Sequence, residues 1–291
     1  MPLPIGGSIT EGSGFRMHVF TASDSFAVSA DVTAAYVLLV GGGGGCAWAQ
    51  YHGGGGGAGG LVLGTNFIIA AGSHAITVGA GGAGSTGYGV PGSNGADTLA
   101  FGLVAKGGGF AGYYSGQPSN SGGSGGGCHQ YSGCNHVGGS GPAPSTQDTY
   151  SSMANVQGYG NSGGYGGSNT PGLPFSEGGD GSAGGGGGGA GGSGGVGGPG
   201  GIGMDFSAQF GTSVGEDGWF AGGGAGSTTN SNDQSYKMPG GMGGGGDGSY
   251  REGEAGMPNT GGGCGSPERN APSNMQTSAG GSGVVIIKYA I

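Results

Sequence analysis

Residues 190–202 read AGGSGGVGGPGGI: Ala190, Ser193, Val196, Pro199 and Ile202 recur at every third position, with two glycines between each and the next. A shorter copy runs through Ser162, Tyr165 and Ser168, and a third through Ser121 and Ser124. Three residues per turn is the period of the polyproline II helix, which rises ~3.1 Å per residue, so the first tract predicts a straight rod on the order of 40 Å long. One face of that rod carries side chains. The other two are bare backbone, contributed by Gly191, Gly192, Gly194, Gly195, Gly197, Gly198, Gly200 and Gly201. Such a helix makes no hydrogen bonds of its own, so every N–H and C=O points outward and needs a partner in a neighbouring strand or in water. A lateral bond contributes only about 0.5–1.5 kcal/mol, against a glycine ordering cost of similar size. Order therefore requires a bundle, and the runs at 41–45, 53–57, 107–109, 184–189, 222–224, 243–246 and 261–263 supply its strands.

Outside these tracts the composition is that of a chain short of core. Of 291 residues 89 are glycine and 33% are hydrophobic, too few to fill the interior that this length ordinarily implies. Collagen is excluded, because glycine comes in runs and only 13 prolines are present. Composition alone would favour disorder. Against it stands the placement of the large aliphatics, which concentrate before Lys106 and again after Gly283. Phe15, Met17 and Val19 alternate with Arg16 and His18, and Leu99, Phe101, Leu103 and Ala105 alternate with smaller or polar residues, the period of half-buried strands. Further strands are expected at 26–28, 36–40, 61–63 with 67–69, and 75–78, and no segment has a helical period. The ending GVVIIKYAI returns to pure strand composition. An isolated strand cannot satisfy its backbone, so this one is expected to pair with strands some 200 residues earlier and close the chain into one unit. The expected fold is mostly β with almost no α-helix: an N-terminal arm or attachment segment at 1–14, framework strands at 15–105, a polyglycine II region with loops at 106–282, and a completing strand at 283–291.

The charge of −9 and six scattered basic residues leave no patch to neutralise phosphates, which excludes nucleic acid as a partner. The longest aliphatic run, Tyr36 to Val40, is far short of the ~20 residues that insert across a bilayer. The opening MPLPIGGSITEG has neither a basic nor an apolar signal region, so release by lysis of the cell that makes the protein is the expected route out.

Four cysteines are present: Cys46, Cys128, Cys134 and Cys264. Cys128, His129, Cys134 and His136 crowd enough ligands for zinc into nine residues, but not with finger spacing. A disulfide or free thiols are the plainer readings, and synthesis in a reducing cytosol favours thiols. No cofactor is implied. Gly191-Gly192-Ser193-Gly194-Gly195 satisfies the G-x-S-x-G pattern, yet a nucleophile elbow needs a strand before it and a helix after it, and neither is expected here. The carboxylates Glu177, Asp180, Glu216, Asp217, Glu252 and Glu254 lie in loops and read as solvating charge, so no enzyme activity is expected.

The segments VFTASDSFAVSADVTAAYVLLVGGGGG, GGGGGAGGLVLG, AITVGAGGAG, LAFGLVAKGGG and GGSGVVIIKYAI, in this order, resemble the glycine-rich domain of bacteriophage tail fibres and tail-tip adhesins. The resemblance runs from Phe15 to Ile291. It implies a β-sandwich-like framework carrying polyglycine II segments, with loops between glycine runs that contact a host surface polysaccharide or outer-membrane protein. It also implies a virion location, other tail proteins as partners, and a homo-oligomer, a trimer if the chain is part of a fibre. The residues that interrupt the glycine runs are the candidates for that contact: Trp48, Gln50, Tyr51 and His52; Tyr113, Tyr114 and Gln117; His129 and Tyr131; Tyr236; and Tyr250 with Arg251. Tyrosine and tryptophan give rigid amphipathic contact area with a hydrogen-bonding handle. Trp219, Phe220 and Phe206 read instead as small local cores. Two alternatives stand beside adhesion. A purely structural virion role is one, and an ice-binding or matrix protein is the other, although the latter predicts regular small residues on a flat face rather than aromatic interruptions.

Overall fold

The computed structural model describes residues 3–12, 14–47, 53–87, 90–112, 119–129, 143–164, 188–194, 198–227, 237–249, 252–267 and 277–291. The strands, in chain order, are β1 (Ser8–Gly12), β2 (Phe15–Phe20), β3 (Asp24–Val28), β4 (Val32–Val40), β5 (Leu61–Ile69), β6 (Gly72–Ile76), β7 (Thr98–Ala100), β8 (Leu103–Ala105) and β9 (Val156–Tyr159). They continue with β10 (Met204–Asp205), β11 (Trp219–Phe220), β12 (Lys237–Met238), β13 (Gly248–Ser249) and β14 (Val284–Ala290). A single turn of helix, α1 (Ser207–Phe210), lies between β10 and β11.

Six strands form one antiparallel sheet in the order β1-β2-β14-β4-β5-β9. The C-terminal strand thus sits in the middle, with Ile286 opposite Val19 on one side and Leu38 on the other. Its run of β-branched residues is covered on both faces, which is why the segment is continuously apolar rather than alternating. Val285, Ile287 and Tyr289 face a core with Phe20, Val37, Leu39 and Val62, roofed by the antiparallel pair β3–β6 and the β7–β8 hairpin through Phe26, Ile76 and Leu103. Val284 and Ile286 face the other way, onto Met17, Leu38 and Leu61, and are capped by Phe206, Phe210 and Phe220 from α1 and β11. The small helix and its flanks therefore close the second face of the sheet.

The sheet does not stop at the framework. β4 runs from Val40 directly into Gly41, and the ladder pair Val40–Leu61 is followed by Gly41 N–H donating to Gly60 O at 2.9 Å. From there the bonding pattern changes from period two to period three. Gly41 and Gly44 donate to Gly60 and Gly57, Gly42 and Gly45 to Ala96 and Ser93, and Gly43 and Cys46 to Gly281 and Ser278, all at 2.8–3.1 Å. Each residue points a third of a turn from the last, so one strand donates to three antiparallel neighbours. Its carbonyls accept from three more segments: Gly108 and Ala111 bond Gly42 and Gly45, Gly82 and Ser85 bond Gly43 and Cys46, and Cys264 bonds Gly44. Residues 53–60 repeat the arrangement, with Gly54, Gly57 and Gly60 donating to Gly112, Gly109 and Lys106. The polyglycine II bundle is present, and it is a lattice with neighbours in all directions around its inner strands.

The tract 190–202 does not form the straight rod that its period predicts. Gly189 N–H bonds Gly192 O and Gly191 N–H bonds Ile202 O, so the tract doubles back on itself. Gly200 and Gly201 do abut backbone, since a Cβ on either would fall 1.9 and 2.3 Å from the carbonyl oxygens of Gly223 and Gly192. Gly191 likewise abuts Gly203 O, and Gly194 and Gly198 bond Ser162 O and Gly226 N–H, whereas Gly192 meets only the Ile202 side chain. Gly195 and Gly197 lie outside the described residues. The period was read correctly but cannot distinguish a straight tract from a folded one, because glycine admits the reversing conformation at no steric cost. The copy at Ser121 and Ser124 does lie in the lattice, where Gly123 N–H bonds Gly107 O and Ser124 N–H bonds Ala58 O.

Segment 1–14 is built into the framework. β1 pairs along its length with β2, and Ile5 exchanges both backbone bonds with Ala27 of β3, so the arm ties the main sheet to its roof. Beneath it His18 is fully buried, its Nδ1 2.8 Å from Gly6 O, its Nε2 3.1 Å from the Tyr289 hydroxyl, and its ring edge-on to Phe26. A neutral ring suits this site: Nδ1–H donates to the carbonyl and Nε2 accepts from the phenol. Beside it Arg16 donates to Glu11 through Nε at 2.8 Å and reaches the Pro4 carbonyl. Burial holds His18 below its ordinary titration range and the Arg16 charge adds to this, against an opposing pull from the Gly6 bond. Burial also raises the Tyr289 phenol.

Two outcomes are expected. A Cβ at Gly43 would lie 2.0 Å from Gly262 O, whereas one at Gly87 meets nothing within 4 Å. Forcing strands apart costs about 1–3 kcal/mol, so Gly43→Ala should lower the melting temperature by roughly 5–10 °C or give insoluble protein, while Gly87→Ala changes it by less than ~2 °C. Equal melting of the two would refute the close-packed lattice. The second concerns acid. Because the folded state prefers neutral His18, its contribution is fully present above about pH 6.5 and is lost progressively as pH falls below that value. Melting profiles between pH 7.5 and 5.5 should therefore fall for the native chain and lose the His18 component in His18→Gln; parallel profiles would place the acid sensitivity elsewhere.

Candidate functional site

Beyond the framework strands, the lattice segments continue to bond one another. Cys46 N–H bonds Ser278 O at 3.1 Å, and Ser85 N–H bonds Cys46 O at 2.9 Å. Nearby, Gly54 bonds Gly112, which bonds Gly127; Cys128 bonds Gly164; Ser227 bonds Gly53; and Ser249 bonds Ser266. Ten segments take part in these bonds, and Ala111 N–H to Gly45 O and Ser266 N–H to Ala225 O link them into one face, called apical below.

At this face hydroxyl side chains add to the backbone bonds between strands. Thr277 Oγ1 donates to Cys46 O at 2.7 Å and accepts from Ser85 N–H at 2.6 Å. Ser249 Oγ donates to Glu252 O at 2.6 Å and accepts from Glu252 N–H at 2.9 Å. Four strands reach the apex through one short pattern, glycine, any residue, glycine, serine: Gly82-Ala83-Gly84-Ser85, Gly224-Ala225-Gly226-Ser227, Gly246-Asp247-Gly248-Ser249 and Gly263-Cys264-Gly265-Ser266. All four serines are buried. The repeated Gly-x-Gly-Ser was legible in the sequence as the point at which each run stops, and the reading by period alone passed over it.

Of the residues singled out for recognition, Trp48, Gln50, Tyr51, His52, Tyr113, Tyr114, Gln117, Tyr131, Tyr236, Tyr250 and Arg251 lie outside the described residues. The described residues that bracket the first group, Ala47 and Gly53, belong to the apical face, as do Gly112, Ser227 and Ser249 before the others. His129 is described and fully buried, which leaves its ring no exposed surface to offer a ligand. The expectation of free thiols is corrected. Cys46 and Cys264 form a disulfide across a sequence separation of 218, and Cys128 is also disulfide-bonded, so its sulfur is not the thiolate that a zinc site requires. Cys134 and His136 lie outside the described residues, and among the described residues no group of three His, Cys, Asp or Glu gathers to hold a metal. Phe206 and Phe220 are core residues, as read; Trp219 is half-buried beside them.

Lys237 and Glu254 form an exposed ion pair that raises the lysine's affinity for its proton, chiefly through the hydrogen bond between them. Glu216 bonds the successive N–H groups of Gly243 and Gly244 at 2.6 and 2.7 Å, so this carboxylate holds a left-handed backbone turn rather than facing a substrate. The family model that matches this chain is described as a glycine-rich domain and spans residues 21–290. No curated protein matches the chain.

Proposed function

We propose, since the chain belongs to the glycine-rich domain family, that it is a bacteriophage virion protein, a tail fibre or tail-tip adhesin that recognises a host surface receptor through the segments between its glycine runs. The observation that carries the reading is the convergence of the lattice strands on one face. A rigid, side-chain-poor bundle makes a poor ligand site along its length, because two of its three faces are backbone already bonded to neighbours. Its end is different. In the sequence, residues 48–52 lie between Ala47 and Gly53, and 113–118 follow Gly112. The described residues Gly53, Gly112, Ser227 and Ser249, which border candidate segments in the sequence, belong to that face, and this supports the reading. Binding residues on loops held by a stiff scaffold can vary without disturbing its core. Contact with polysaccharide or an outer-membrane protein would use aromatic faces and amide groups rather than charge, which accords with a net charge of −9. The framework pole, with the arm at 1–14, is then free to join other tail proteins.

The test separates binding from folding. Truncating a binding aromatic commonly costs more than 1–2 kcal/mol of affinity, whereas substitutions off the packed backbone change stability by about 0.5 kcal/mol or less. A Trp48→Ala, Tyr51→Ala, Tyr113→Ala variant should melt within ~2 °C of the native chain yet bind host cells at least tenfold more weakly. Binding of both should fall little between low and 0.3 M salt, since exposed charges are already screened beyond about 10 Å at 0.1 M. Undiminished binding by the variant would remove these segments as the receptor site. Absence of cell binding by the native chain would favour a structural virion subunit.

A further inference from the structure

We propose that the Cys46–Cys264 bond is an oxidative lock on the lattice, closed after the strands have assembled and shielded once they have closed, independently of what the apex binds. Cys46 ends the first glycine strand and Cys264 lies in the last strand before the final loop, with their Cα atoms 5.7 Å apart across a sequence separation of 218. Nothing local brings these residues together. What does is the period-three bonding itself: Cys264 N–H bonds Gly44 O at 3.2 Å, Gly56 N–H bonds Cys264 O at 2.8 Å, and Cys46 N–H bonds Ser278 O at 3.1 Å. The two cysteines meet as side chains of adjoining strands whose neighbours are already in register.

The slot they fill is made by a missing side chain. A Cβ on Gly56 would fall 2.8 Å from Cys264 Sγ, so the sulfur occupies the space glycine leaves open. Cys46, Cys264 and Ala111 form a buried cluster of their own, each fully shielded from solvent. In a bundle held mainly by backbone hydrogen bonds, this is a covalent tie between two inner segments. It lies within two residues of the point where each approaches the apex, at Ala47 and Ser266. Loop-closure entropy makes such a long-range tie worth most: closing 100 residues or more raises the folded-to-unfolded ratio by roughly a thousandfold or more in the chain-entropy account.

The chain is synthesised with thiols, so an oxidant must supply the step. With a small disulfide RSSR, one cysteine thiolate attacks a sulfur, releasing RS⁻ and leaving a mixed disulfide. The second cysteine thiolate then displaces the other RS⁻ and forms Cys46–Cys264. Two electrons pass to RSSR and the two cysteine protons end on the released thiols. Access to the buried pair is through transient opening at the apex, one residue from Cys46 at Ala47 and two from Cys264 at Ser266, so the exchange is slow in the packed protein in both directions. The reduced lattice is therefore the weaker form and the oxidised lattice the persistent one. A protein that leaves a reducing compartment for an oxidising one would stiffen on arrival.

The experiment compares the full chain purified under reductant, the same chain after incubation with oxidised glutathione, and a Cys46→Ala, Cys264→Ala variant treated both ways. The reduced chain should be folded, with thiols at 46 and 264 that alkylate slowly in the native protein and at once in denaturant. Oxidation should produce the cross-linked 46–264 peptide and raise the melting temperature by on the order of 10 °C. The double variant should melt near the reduced chain and gain little from oxidation, which separates this bond from that of Cys128. A reduced chain without lattice structure would overturn the proposal by making the bond a prerequisite of assembly. Identical melting of reduced and oxidised chains would overturn it by showing that the bond locks nothing, and immediate alkylation of native thiols would overturn the shielding.

Discussion

The structure rests on one interaction, the hydrogen bond between bare backbones in three directions. In a β-sheet each strand bonds in one plane and side chains fill the space above and below. In the glycine lattice there is no such space, since a Cβ at Gly43, Gly55, Gly224 or Gly263 would fall within 2.1 Å of a neighbouring carbonyl oxygen. The absence of side chains is what permits six neighbours around residues 41–46, and those neighbours are what offset the entropy that glycine loses on ordering. A single polyglycine strand has neither partner nor core. The unit of stability is the bundle, and a local intrusion disturbs several strands together.

Such a lattice cannot start itself. Glycine runs are interchangeable, and nothing in one of them specifies which neighbour it meets or in which direction. The framework supplies that information. β4, β5, β8 and β14 lead directly into or out of glycine segments, and their apolar faces admit one register: Val285 against Phe20 and Leu39, Leu61 against Val40. Once the roots are placed, period-three bonding carries the arrangement outward for several residues. The sandwich thus acts as a template and the lattice as its extension, and the apical face is defined by how far each run extends before its serine.

Division of labour along the molecule follows from this. At the framework pole, side chains carry the stability, with His18, Arg16 and Tyr289 fastening the arm to both layers. Through the middle, backbone carries it, helped by the Cys46–Cys264 tie where two inner strands approach the apex. At the apex, hydroxyls of Thr277 and Ser249 add to the bonds of the strand ends.

Much of this was legible in the residues. Strand periods at 15–19 and 99–105, the β-branched ending that had to pair far back in the chain, and the threefold spacing of the glycine tracts each follow from local chemistry, because side-chain alternation and the shape of polyproline II are properties of a few consecutive residues. The Gly-x-Gly-Ser endings were equally local. What only the tertiary structure decided is everything that depends on which segments meet. The tract 190–202 folds back because Ile202 finds Gly191. Cys46 finds Cys264 rather than staying a thiol because the framework places their strands side by side. His129 is buried, although its polar neighbours read as a surface, and the arm at 1–14 becomes a structural strap because His18 lies beneath it. Glycine, lacking a side chain, carries no partner preference in its sequence; the sequence by itself determined that these runs would bundle, and only the anchoring of their ends determined how.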